Sequence, residues 1–277
     1  MFNCKELNKT FDNKIDLFKA LKDNKEEILS FKMANTLKSC DKGASVKTKL
    51  INVTKHLETL KNIELNDDFY YIVVNTTKVL DSHMVVHLNC IWSKTVQEQQ
   101  GKNYLVADHK LEIDKVITRK EYVEMIVAEI PFRSIGKDYE GDTQALIYKI
   151  PKDKVINEAA KEWLNSGDEI EASVRMQYVK IELALNSDNV NDKLEKLNFD
   201  TYIKEIANKD EFEEINYFFI IQEAKNVKES SLVVFGSNNA TGTLENKLEP
   251  SNDTLAIKEA ADNITAINEM YNFLNFK

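Results

Sequence analysis

Residues 169–185 read EIEASVRMQYVKIELAL. Apolar side chains alternate through Ile170, Ala172, Val174, Met176 and Tyr178, the period of a strand with one face buried. Ser173, Arg175 and Gln177 share the other face. From Val179 the phase reverses, with Val179, Ile181, Leu183 and Leu185 as the apolar set. A bulge or bend near Tyr178 is therefore expected. Ser173 and Arg175 stand about 7 Å apart along such a strand. They read either as a solvent-facing polar pair or as a nucleophile beside a cation that favours developing negative charge. On pattern alone the solvent-facing reading is the simpler one.

The neighbouring segments carry the same signature. DFYYIVVNTTKV, HMVVHLNCIW, EYVEMIVAEIPF, TQALIYKI, NYFFIIQEAKNV and SSLVVFG are rich in β-branched and aromatic residues, which brings the total to about seven strands. Helical periodicity appears in KIDLFKALKDNKEEILSFKMANTLK near the start, with Leu17, Phe18, Leu21, Ile28, Leu29 and Phe31 as its apolar positions. This segment reads as a solvated amphipathic arm, with a docking helix for a partner as the alternative. DKVINEAAKEWLNSG is a further helix, in which Val155, Ala159 and Trp163 form one stripe, Ile156, Ala160 and Leu164 lie beside it, and Gly167 is a C-terminal stop. DTYIKEIA is a shorter candidate. Beyond the polar run GSNNATGTLENKLEPSND, Leu255, Ile257, Ala261, Ile264, Ile267, Tyr271 and Leu274 form the apolar face of a terminal helix. Most strands have no helix after them, which argues against a doubly wound parallel sheet and for a mostly antiparallel, barrel-like or α+β core. The expected organisation is a helical N-terminal arm over 1–44, a core over 45–245, and a linker with an amphipathic helix over 246–277.

Composition excludes several classes of function. The net charge is −9 over 277 residues, and the only arginines are Arg119, Arg133 and Arg175. An acidic chain poor in guanidinium is a poor partner for nucleic acid. Cys4, Cys40 and Cys90 are too few and too scattered for a disulfide framework or a zinc site, and fit a reducing compartment. The opening MFNCKELNKTFDNK lacks the apolar stretch of a signal peptide, and no run of about 18 apolar residues suggests a membrane span. Glycine fingerprints for phosphate or dinucleotide are absent, so no cofactor is expected. His83 and His87 would lie about 13 Å apart on one strand face, too far to share a metal, and no metal is expected.

Nucleophilic hydrolysis remains, and its groups can come from distant parts of the chain. Of the four histidines, His56, His83, His87 and His109, spacing alone selects none.

Three blocks, taken in order, resemble the prohead (capsid maturation) proteases of tailed bacteriophages, which share a fold with the herpesvirus assemblins. LDSHMVVHLNCIWSKTVQEQQGKNYLVADHKLEIDKVI resembles the family's early block, an aspartate-led turn and then an aliphatic run ending in histidine. LNSGDEIEASVRMQYVKIELAL resembles the helix, glycine and strand that carry the nucleophilic serine. VKESSLVVFGSNNATG resembles its glutamate-x-serine-leucine-valine run. The resemblance covers roughly residues 45–245 and implies an assemblin-type protease core. It makes Ser173 the nucleophile, His109 the general base, with Asp108 its acidic neighbour, and Glu229 the residue that orients the imidazole. Arg175 stands where the family often has glycine, and Gly236 where it often has proline; Arg175 is a candidate for oxyanion or substrate support. The resemblance further implies scaffold and major capsid proteins as substrates, a place in the host cytoplasm inside the assembling procapsid, and leaves a homo-oligomer open. The alternative is a catalytically inactive structural or assembly protein of the phage particle on the same core.

Overall fold

A computed structural model describes residues 1–34, 65–166, 170–234 and 242–244. In chain order these form β1 (Phe2–Cys4), β2 (Lys9–Phe11), α1 (Lys14–Asp23), α2 (Lys25–Ala34), β3 (Phe69–Thr76), β4 (Val85–His87), α3 (Ser93–Gln99), β5 (Tyr104–Ala107), β6 (Val116–Thr118) and β7 (Glu124–Pro131). They continue with β8 (Asp142–Pro151), α4 (Glu158–Ser166), β9 (Glu171–Leu185), α5 (Lys193–Tyr202), β10 (Tyr217–Val233) and β11 (Gly242–Leu244). The class is α+β.

Two sheets make the body. One is four-stranded and antiparallel, in the order β11-β3-β8-β7. The other is mixed and organised around β10, which takes β9 antiparallel along one side and the short β4 and β5 in parallel along the other. β6 extends it antiparallel to β5. Among the described residues neither sheet closes on itself, so the expected barrel-like closure gives way to open sheets. The reason lies in the pairings: among the described residues no strand of one sheet forms a backbone ladder with a strand of the other.

Both central strands are buried on both faces, which explains their nearly continuous apolar runs. Tyr70, Ile72 and Val74 of β3 enter the main core, while Tyr71 and Val73 join Ile130, Phe132, Ala145 and Ile147 in a second cluster. On β10, Tyr217, Phe219 and Ile221 face the main core, whereas Phe218 and Ile220 pack with Phe199 of α5. Each such side chain contributes roughly 1.5–3 kcal/mol by leaving water.

The phase change in the quoted strand is real. Tyr178 pairs with Ala224 and Lys180 with Glu223, which leaves Val179 unpaired as a bulge. A second irregularity lies nearer the strand start. Met176 opposes Asn226 and Val174 opposes Ser230, so Arg175 faces the three residues Val227, Lys228 and Glu229. Lys228 absorbs the excess with a left-handed backbone, φ 69°. Because this excess is a bulge and not a turn, the two strands expected over 216–235 are one strand, β10.

The N-terminal segment departs from the solvated arm expected of it. Its helical pattern breaks at Asn24 into two helices, and the Asn13 side chain caps the first by accepting from the Asp16 amide. Leu17, Phe18, Leu21 and Ile28 then belong to the main core. Their apolar area is better buried there than left in water. Lys22 and Lys25 fasten the pair to α5, reaching Glu195 at 3.0 and 2.7 Å, and Lys22 also reaches Asp192 at 2.9 Å. In α4 the inward positions are Ala160 and Leu164, and Trp163 is partly exposed. The expected C-terminal helix, the Gly167 stop and the Gly236 loop lie outside the described residues.

Candidate active site

β10 supplies the frame. Ser231 pairs with Ser173 of β9 on one side and with Val106 of β5 on the other. Ser173 and the end of β5 therefore lie on strands flanking the same residue, each about 5 Å from it. Beyond Ala107 the chain turns through Asp108 and His109, both left-handed at φ 52° and 55°, and the Lys110 amide closes the turn on the Ala107 carbonyl at 3.0 Å. Two consecutive positive-φ residues closed in this way make a mirror-image turn that glycine or asparagine normally fills. An aspartate and a histidine hold it instead, a strained arrangement of the kind that clusters at functional sites. Two bonds from β10 pin it: Asp108 N to the Leu232 carbonyl at 3.0 Å, and His109 N to Ser231 Oγ at 2.9 Å.

Of the three residues named from the sequence, His109 and Glu229 meet here, and Ser173 stands on the neighbouring strand β9, bonded to neither. His109 Nδ1 lies 3.0 and 3.1 Å from the two carboxylate oxygens of Glu229. Both side chains are almost wholly buried, 3% and 0% exposed. A carboxylate can only accept, so the proton between them belongs to Nδ1, and in the neutral imidazole Nε2 carries the lone pair. Nε2 is buried without a partner, and so is Ser173 Oγ. The site thus presents a base and a hydroxyl that are not hydrogen-bonded to each other, an arrangement that ligand-free sites often show before substrate tightens them.

Arg175 is placed differently from the expectation of a free cation facing substrate. Its Nε lies 2.9 Å from Glu229 Oε1, with the N–H not aimed at that oxygen, and Nη2 donates to the His109 carbonyl at 3.3 Å. The guanidinium compensates the buried carboxylate and ties it to the histidine turn. Behind Glu229, Asn226 bonds both the Tyr148 hydroxyl and Ser230. Burial, with the Glu229 charge adding to it, holds the Tyr148 phenol above its ordinary pKa, so it stays neutral where it accepts from Asn226.

Tyr148 and Asn226 escaped the sequence reading, and Ser231, the serine of the glutamate-x-serine-leucine-valine run, was given no role in it. Ser231 was within reach of it, since a serine two residues after the acid, in the same phase, falls beside it on one strand face. The turn at Asp108–His109 carries no glycine and announces nothing.

His83 and His87 are not two residues of one strand face. His83 sits in the turn entering β4, whose Asp81 carboxylate accepts from the His83 and Val85 amides at 2.8 and 2.9 Å. His87 is buried against Asn75. Among the described residues no three His, Cys, Asp or Glu side chains gather as a metal site, and no helix is long and apolar enough to cross a membrane. No protein-family model, curated protein or solved structure matches this chain.

Proposed function

We propose that the chain is a serine endopeptidase of the prohead maturation type, acting on scaffold protein or on the scaffolding segment of the major capsid protein. The observation that carries this reading is the buried His109–Glu229 pair, whose free Nε2 lies at the same sheet end as an unpartnered Ser173 hydroxyl. In this mechanism Ser173 Oγ bonds to the peptide carbonyl carbon while its proton passes to His109 Nε2. The imidazolium is stabilised by Glu229. The C–N bond then breaks, and His109 delivers the proton to the leaving amine. Water, deprotonated by the same nitrogen, releases the acyl group and restores the serine. The contacts of Arg175 support a role in holding Glu229 and the histidine turn more than one in binding the oxyanion. Cleavage inside the assembling procapsid, in the host cytoplasm, would make maturation irreversible.

One observation favours a second reading. Ser173 Oγ and His109 Nε2 are both sealed from water and not bonded to each other, as in an inactive structural or assembly protein built on the same core. Co-expression with the phage's scaffold and capsid proteins separates the two. The protease reading requires processing by the wild type and full-length substrates with Ser173→Ala or His109→Ala. Unprocessed substrates with the wild type, or processing by either variant, would reject it.

A further inference from the structure

We propose that Ser231 is a positioning residue that sets where the His109 imidazole stands relative to Ser173. The inference rests on the protease reading for its kinetic consequence, though not for its geometric one. Ser231 is fully buried, and its single hydroxyl serves β5 and the turn that follows it. It accepts from the His109 amide at 2.9 Å and lies 3.1 Å from the Val106 carbonyl and 3.0 Å from the Leu232 carbonyl. A hydroxyl has one proton and two lone pairs, so it accepts from His109 and donates to one carbonyl at a time.

The position has no substitute. Antiparallel pairing puts Ser231 directly across from Ser173, and parallel pairing puts it across from Val106, three residues before His109. His109 leaves β5 through a left-handed turn, which aims its amide away from any strand partner. Without Ser231 Oγ that amide would be buried and unpaired, and the turn could relax by rotating about Asp108 and His109. Such a rotation would swing the imidazole off Glu229 and change where it stands relative to Ser173. Of the remaining pins, Asp108 N to Leu232 and Lys110 N to Ala107 hold the turn's flanks, and Arg175 Nη2 reaches the His109 carbonyl at 3.3 Å but leaves its amide without a partner.

The test uses the full chain with Ser231→Ala, Ser231→Cys and Ser231→Thr. Cysteine keeps the shape of serine but accepts poorly, whereas threonine keeps the hydroxyl. The first readout is the rate at which a fluorophosphonate probe modifies Ser173. The second is the ¹⁵N-histidine NMR spectrum, in which the Nδ1 proton of His109 reports its bond to Glu229. The expected result is labelling slowed about 100-fold by alanine and by cysteine, the loss typical of a misplaced catalytic group. Threonine should restore most of the rate, and the His109 Nδ1 signal should shift or broaden in step with it. Unchanged His109 signals in the alanine and cysteine variants would overturn the proposal, whatever the rates do. So would a cysteine variant that labels as fast as wild type, including the case where alanine fails to fold. If the wild type resists the probe, the protease reading fails, and the NMR arm still decides whether Ser231 holds His109.

Discussion

Arg175 Nε lies 2.9 Å from Glu229 Oε1, and the carboxylate it faces is fully buried. A buried charge left without its partner is strongly destabilising, typically by about 3–5 kcal/mol. Arg175→Met should therefore lower the unfolding free energy by about 3 kcal/mol in urea titrations at neutral pH. The double variant Arg175→Met/Glu229→Gln should recover part of that loss, since it removes both charges together. Additive losses would show that the two groups act independently.

Glu229→Gln should keep the fold and slow the chemistry. Glutamine presents an amide in place of one acceptor oxygen, and the histidine then loses the partner that fixes its tautomer. The comparable change in serine proteases is severe, and the proposed mechanism predicts a loss of about 100-fold or more in the labelling rate of Ser173. A rate within a factor of about two of wild type would remove Glu229 from the mechanism.

His87 makes the fold sensitive to acid. Trp92 Nε1 can only donate, and it bonds Asn75 Oδ1 at 2.9 Å, so the Asn75 amide nitrogen must face His87 Nδ1 at 3.2 Å. That nitrogen accepts, and the imidazole is neutral. Burial lowers its pKa to about 4, against a smaller opposing contribution from the Thr76 backbone. At neutral pH neither the folded nor the unfolded histidine is charged. As pH falls through about 6.5 the unfolded chain takes up the proton, and the folded one does not until about 4. Stability should therefore drop by about 3 kcal/mol across that window, with about 2 kcal/mol gone by pH 5. His87→Gln should flatten this part of the urea-midpoint curve. An unchanged slope would exclude His87 as its source.

Lys228 tests the bulge that presents Glu229. It is an exposed residue with φ 69°, a region glycine enters without cost. Lys228→Gly should be neutral or stabilising by up to about 1 kcal/mol, and Lys228→Val destabilising. The reverse order would mean that the bulge is not present in solution.

Glu195 holds the two N-terminal helices against α5. Burial pushes its carboxyl pKa up, but the bonds from Lys25 and Lys22 outweigh that and hold it below the usual range. Glu195→Ala should speed amide exchange in α1 and α2 by about tenfold, with little change in β10. Equal acceleration in both would mean that the helices are not a separately releasable layer.

What the sequence disclosed follows from length and pattern. The phase reversal at Tyr178 was visible because eight alternating positions surround it, and Val179 is the bulge it required. β5 and β6, four and three residues long, were too short to alternate detectably. Ser173 and Arg175 looked solvent-facing because polar residues on a strand normally are. Both are covered, and the partners of Arg175, Glu229 and the His109 turn, arrive from segments 50 or more residues away in the chain, which no local pattern encodes. The meeting of His109 with Glu229 was anticipated only from the order of three resembling blocks. The bulge that brings Arg175 onto Glu229 was not, since KES carries no bulge-forming glycine.

The central claim is that Ser173 is a nucleophile activated by His109, and the most direct measurement is mass spectrometry of the chain after reaction with a fluorophosphonate. One adduct per chain, mapped to Ser173 and slowed at least about 100-fold in His109→Ala, is the predicted result. A folded wild-type chain that remains unmodified at Ser173, or that labels equally fast without His109, would contradict it.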